Sequence, residues 1–236
     1  MIWEQDARLI VSLTAEVERG QVKCHPFWES GSYGPLKVNN FSQKKIYLNP
    51  ADSQQINTGS RAPSPEKSED PSRPYIIARY FGLSHSAYPF QPLREITQLH
   101  YPYWPDFGTT SQPVHLLRLI EECDKVVDAS NAKSPNNHEA NSSGQRPIVV
   151  HCSAGCGRTG TFCTVDSVLD ILKRQHAQKS SATPAVPRNE DLIERSLADF
   201  RTQRPSMVQN LSQYVLCYES VLEWFTSHMA KEESSQ

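Results

Sequence analysis

Cys152 and Arg158 stand with five small or compact residues between them, Ser153-Ala154-Gly155-Cys156-Gly157. Small residues let a backbone curl until successive N–H groups point inward, which makes a seat for an anion. A helix starting just beyond adds its N-terminal dipole to that seat. The guanidinium of Arg158 offers a fixed fork that matches two oxygens of a tetrahedral oxyanion. At the floor, the same positive field lowers the pKa of the Cys152 thiol and favours the nucleophilic thiolate. Thr159 has a hydroxyl to donate to the sulfur, and His151 is placed to orient the loop through hydrogen bonds. The other chemistry open to His151, Cys152 and Cys156 is metal ligation. No second ligand pair at zinc spacing accompanies them, so no metal is expected.

Such a loop needs a strand to enter it and a helix to leave it. Ile148-Val149-Val150 reads as a short apolar strand ending at His151, and Phe162, Val165, Leu169 and Leu172 keep helical spacing after it. Further strands are predicted at Leu9-Ile10-Val11, Val22 to Trp28, Lys45 to Leu48, Tyr75 to Leu83 and Ile96 to His100. Further helices are predicted from Leu116 to Val127, Ile193 to Phe200, and Leu211, Val215, Tyr218, Leu222 and Phe225. Strands first and helices later, with one strand feeding a helix through a tight loop, is an α+β pattern: a mixed central sheet flanked by helices.

Three stretches have loop-like composition and no apolar periodicity: 49–73, 129–146 and 176–188. They read as insertions in one domain over 1–228, followed by a polar tail over 229–236. Length allows one domain with a sizeable core among the 236 residues. With 24 basic and 26 acidic residues the net charge is −2, and no basic stripe interleaved with aromatics suggests a nucleic-acid partner. No run of about 18 apolar residues suggests a membrane span. The first residues lack the basic start and apolar core of a signal peptide, and the last ones do not form a prenylation box. The expectation is a cytoplasmic or nuclear protein whose six cysteines are free thiols.

The string His151-Cys152-Ser153-Ala154-Gly155-Cys156-Gly157-Arg158-Thr159-Gly160 resembles the signature of the tyrosine-specific protein-tyrosine phosphatases. The resemblance runs from Met1 to about Phe225, and the inserts are similar to those of fungal members. Most relatives carry an aliphatic residue where Cys156 stands. Trp104-Pro105-Asp106 lies 46 residues before Cys152 and resembles the family's mobile acid loop. The resemblance implies Asp106 as general acid and then base, with Trp104 and Pro105 as hinge and packing residues. The stretch Arg201 to Tyr214 resembles the family's glutamine loop, which implies Gln209 as the residue that places water and Gln213 as the second glutamine. Glu18 to Cys24 resembles the family's acidic loop. That implies Glu18 paired with Arg158, and Lys23 close to the shut acid loop.

The resemblance implies hydrolysis of phosphotyrosine in a protein substrate through a cysteinyl-phosphate, with no cofactor and a monomeric enzyme. By analogy, a mitogen-activated kinase is a candidate substrate. It also implies an N-terminal truncation, because family members carry a long segment with a phosphotyrosine-recognition loop before the region matching Met1. The alternatives are a phosphotyrosine-binding module, an inactive fragment of a larger phosphatase, and a dual-specificity phosphatase.

Overall fold

The computed structural model describes residues 1–49, 73–132, 146–178 and 190–233. Eight strands are formed: β1 (Leu9–Ser12), β2 (Val17–Glu18), β3 (Gln21–Val22), β4 (Gly31–Tyr33), β5 (Leu36–Tyr47), β6 (Tyr75–His85), β7 (Arg94–His100) and β8 (Ile148–His151). Four helices of more than ten residues are described: α1 (Pro113–Ala132), α2 (Gly157–Gln178), α3 (Leu192–Gln203) and α4 (Leu211–Glu233). Six strands make one sheet in the order β4-β5-β6-β7-β1-β8, and β2 and β3 form a separate hairpin. β4 to β7 pair antiparallel, whereas β1 runs parallel to β7. The sheet is therefore mixed, as the α+β reading expects.

The chain divides into two compact units. The first comprises Met1–Ser12, His25–Tyr103 and Glu121–Val149; the second comprises Leu13–Cys24, Trp104–Ile120 and Val150–Gln236. In the first, β6 is a mostly apolar run buried at adjacent positions, so both its faces are covered: Tyr75, Ile76, Ala78, Phe81 and Leu83 are buried. Several buried polar groups there are paired. The Arg79 Nη1 donates to Gln98 Oε1 at 3.1 Å and lies 2.9 Å from His100 Nδ1, and its guanidinium stacks 4.2 Å above the Trp28 ring. Asp6 is ringed by Arg8, Arg94 and Arg146 at 2.8, 3.3 and 2.7 Å.

In the second unit, α3 is capped by Asp191, whose carboxylate accepts from the amides of Ile193 and Glu194. α2 buries Phe162, Val165, Val168 and Leu169. Every residue predicted for the site belongs to this unit.

Several expectations need correction. Of the stretch Val22 to Trp28 only Val22, the last residue of β3, lies in a strand, and Pro26 cannot donate to a ladder. β5 begins at Leu36, nine residues ahead of Lys45, and its middle, Asn40 to Lys45, is exposed and mostly polar, so it carries no apolar strand signal. β8 ends at His151 as expected and is half-buried along its length, being the last strand in the sheet order.

α1 continues to Ala132 and α2 to Gln178, into stretches read as insertions; 50–72, 133–145 and 179–189 lie outside the described residues. α4 continues to Glu233, through most of the stretch read as a tail. Its apolar stripe Leu211, Val215, Tyr218, Leu222 and Phe225 is exposed, while Gln213, Leu216, Cys217 and Ser220 are buried. Helical period was legible there, but the face that packs is the one with small and amide side chains.

Candidate active site

Cys152 lies just past the end of β8, at the point where the chain stops pairing and turns. The Leu13 amide donates to the His151 carbonyl at 2.8 Å, which anchors the entry to the loop. Gly155 has φ +66°, a left-handed conformation that a side chain would strain. α2 begins at Gly157, so Gly157 and Arg158 are already its first turn and the loop opens onto the helix N-terminus.

The Cys152 side chain is buried. Burial pushes its thiol up. Hydrogen bonds from Thr159 and from the Cys156 amide, with the Arg158 charge, more than reverse this and hold it below the ordinary 9.0. Thr159 Oγ1 is buried with no hydrogen-bond partner among the described residues, and its hydroxyl is among the groups that lower the Cys152 thiol. By contrast, Cys163 in α2 is pushed up to about 12 by burial and is an inert thiol. None of the six cysteines, all among the described residues, is in a disulfide.

Arg158 is the most tightly held group in the site, with 1% of its side chain exposed. Its Nη1 donates to Glu18 Oε1 at 2.5 Å and to the Trp104 carbonyl at 2.8 Å. Its Nη2 donates to Asp106 Oδ1 at 3.1 Å, and its Nε is buried with no partner among the described residues. A buried guanidinium N–H without an acceptor is costly unless a ligand supplies one. Nε and Nη2 form the edge of the fork left for an incoming oxyanion.

Glu18 does three jobs. Its Oε1 also accepts from Thr14 Oγ1 at 2.9 Å, and its Oε2 accepts the Asp106 amide at 3.0 Å. Burial raises its carboxyl, but bonds from Arg158 and Thr14 outweigh that and keep it below 4.5. Lys23 Nζ stands 3.1 Å from Asp106 Oδ2. The two acidic-loop residues therefore meet the partners that the family resemblance implies.

The acid loop is wound tightly. Trp104 is fully buried, and its Nε1 donates to the Gly108 carbonyl at 2.9 Å. The Gly108 amide donates to the Pro105 carbonyl at 3.0 Å, closing a turn in which Phe107 has φ +56°. Pro105 is exposed and packs against the loop's own Gly108: a Cβ there would stand 2.6 Å from Pro105 Cγ.

His151 is half-buried with Nδ1 3.1 Å from the Cys152 carbonyl, and burial keeps its pKa below 6.5. The glutamine loop lies beside Gly157: a Cβ there would be 2.6 Å from Gln209 Oε1 and 2.9 Å from the Gln213 amide. Gln213 Oε1 accepts the Gln209 amide at 2.9 Å, which sets the direction of Gln209. Ser153 and Ala154 are exposed at the rim.

Four contributors were not singled out by residue type or spacing. Thr14 holds Glu18. Arg201 donates to the Met207 and Val208 carbonyls at 3.0 and 2.9 Å and steadies Val208 at φ +57°. Arg204 donates to the Ala154 carbonyl at 2.7 Å and to Cys156 Sγ at 3.3 Å. Asn210 bonds the Phe107 carbonyl. The partners of Arg204 and Asn210 lie 48 to 103 residues away, so spacing carries no signal of those pairings.

A thiol of lowered pKa, a buried guanidinium with an unpartnered Nε and a carboxyl on a neighbouring loop meet in this one unit. The protein-tyrosine phosphatase family model matches residues 1–223, and the chain belongs to that family. Rat receptor-type tyrosine-protein phosphatase epsilon is 29% identical over 236 residues, covering 95% of this chain and 25% of its own. Human tyrosine-protein phosphatase non-receptor type 18 is 30% identical over 230 residues, covering 96% and 38%. A solved structure of PTPN18 in complex with phosphorylated HER2 peptides superposes with a TM-score of 0.67 at 27% identity, over 96% of this chain and 61% of that one. The chain thus spans a quarter to two-fifths of these curated relatives.

Proposed function

We propose that this chain hydrolyses phosphotyrosine in protein substrates by a double displacement on Cys152. The observation that carries the reading is Arg158: a buried guanidinium whose Nε lacks an acceptor, in the first turn of a helix that opens behind a lowered-pKa thiol.

In the first step the Cys152 thiolate attacks phosphorus. The S–P bond forms as the P–O bond to tyrosine breaks, and Asp106 gives its proton to the departing phenolic oxygen. The Arg158 fork and the loop amides from Ser153 to Arg158 stabilise the equatorial oxygens. In the second step water attacks phosphorus and Asp106 takes its proton. The P–S bond breaks, and Cys152 leaves as thiolate. Gln209, directed by Gln213, places that water. No organic cofactor enters either step.

The phosphorylated HER2 peptides on PTPN18 support tyrosine-phosphorylated protein as the substrate class. A mitogen-activated kinase is the first such protein to try, by analogy alone. The test is release of phosphate by the full chain from para-nitrophenyl phosphate and from paired phosphotyrosyl and phosphoseryl peptides, beside Cys152→Ser. Turnover of the aryl ester and the phosphotyrosyl peptide alone, abolished by the substitution, is expected. Tight phosphopeptide binding without turnover by the unsubstituted chain would overturn hydrolysis.

A further inference from the structure

The acid loop carries strain that its own side chains do not hold. Phe107 sits in the left-handed region at φ +56°, an unfavourable place for a bulky residue. Its ring is 65% exposed, so apolar packing does not fix it there. What grips this residue is a hydrogen bond to its backbone carbonyl, from Asn210 Nδ2 at 2.9 Å.

Asn210 is also the N-cap of α4. Its Oδ1 accepts the Gln213 amide at 2.9 Å, and its own carbonyl accepts the Tyr214 amide at 3.1 Å. The two jobs fix one amide orientation. Turning the group over would set its NH2 against the Gln213 N–H and its oxygen against the Phe107 carbonyl. One residue further on, Gln213 Nε2 reaches the Gly108 carbonyl at 3.3 Å. Two successive carbonyls just past Asp106 are thus held from the first turn of α4.

We propose that Asn210 is a positioning residue for the general acid: its amide, locked by the α4 cap, latches the Phe107 carbonyl and keeps Asp106 over the phosphate seat. The inference rests on the reading of Asp106 as the acid. Gln209 and Gln213 were singled out for water and loop direction; Asn210 adds a link between the same helix start and proton delivery.

Asn210→Asp separates the two jobs. A carboxylate caps a helix at least as well as an amide and suits the positive N-terminus. Facing the Phe107 carbonyl, however, it replaces a donor with a repelling acceptor. Asn210→Ser is the companion variant, since it keeps the cap with a side chain too short for the latch.

Two readouts decide. The first is hydrogen–deuterium exchange of 103–109 in the full chain, with thermal unfolding as control. Faster exchange in both variants at an unchanged midpoint is expected. The second is kcat on phenyl phosphate against an aryl phosphate with a much more acidic leaving group. A loss of roughly tenfold or more on phenyl phosphate, little loss on the activated ester and a steady KM are expected, because only the poor leaving group needs the acid. Equal losses on both esters, or unchanged exchange, overturn the latch. If the unsubstituted chain turns over neither ester, the phosphatase reading fails separately and exchange alone decides.

Discussion

Arg158 and Glu18, 140 residues apart in the chain, meet at 2.5 Å, and the same carboxylate takes the Asp106 amide at 3.0 Å. One side chain therefore aims the phosphate clamp and tethers the acid loop. Glu18→Ala leaves Arg158 with a solvent-shielded charge short of one partner. A loss of about 2–3 kcal/mol in stability is expected, below the range for fully buried pairs because Glu18 is partly exposed. The affinity for tungstate should fall by at least about tenfold, since the fork loses its backing. Urea unfolding and calorimetric titration check the two effects, and a Glu18→Gln variant should recover part of the stability.

The Cys152 thiol titrates below its ordinary value because donated hydrogen bonds and the Arg158 charge outweigh burial. Alkylation by iodoacetate should therefore show a midpoint below pH 9.0. Thr159→Ala removes one donor and should move that midpoint up. A midpoint that stays put would assign the effect to the backbone amides and Arg158.

Asp106→Asn keeps the side chain's size and removes the transferable proton. The expected result is a fall in kcat on phenyl phosphate of about 10²–10³. The basic limb of its pH profile should disappear. On an ester with a strongly acidic leaving group the loss should be much smaller. Steady-state kinetics across a leaving-group series reads both.

Gly160 packs against the glutamine loop so closely that a Cβ would stand 2.5 Å from the Val208 backbone nitrogen and 3.0 Å from Met207. Backbone cannot swing aside as a side-chain end can. Gly160→Ala should lower the thermal midpoint by several degrees and slow the second step, through displaced Gln209, more than the first. A burst of phenol followed by a depressed steady rate is the signature to look for in stopped flow.

Asp6, in the first unit, offers a pH test. Burial raises its carboxyl, but bonds from Arg146 and Arg8 and their charges more than offset this and leave it below 3.8. Its folded-state pKa is depressed, so its stabilisation is present above the unfolded value and is lost as pH falls through the folded one. Urea midpoints of the native chain and Asp6→Asn should differ at pH 7 and converge on acidification below about pH 4.

How much of this was legible beforehand differs from element to element. The loop from His151 to Gly160 was readable because its chemistry is local: nucleophile, small residues, arginine and helix start are contiguous, and their spacing alone brings sulfur and guanidinium to one seat. The helices around Leu116, Phe162, Ile193 and Leu211 were readable from period. Period did not say which stripe of α4 packs, since Gln213 and Cys217 are buried while Leu211 and Leu222 are exposed.

The amino-acid sequence by itself determined the mixed-sheet architecture and the contiguous loop that carries Cys152 and Arg158 between a strand and a helix, because these rest on short-range pattern. Only the tertiary structure decided what backs them. Thr14 behind Glu18, Arg204 on the Ala154 carbonyl and Asn210 on the Phe107 carbonyl are pairings of 4 to 103 residues in separation, while Glu18 behind Arg158 and Lys23 beside Asp106 were expected from the family resemblance and not from spacing. Most of them join segments whose distance along the chain encodes nothing about their meeting in space. Hydrogen-bond geometry is satisfied only once the backbone is in place, so such partners become visible only in the folded molecule.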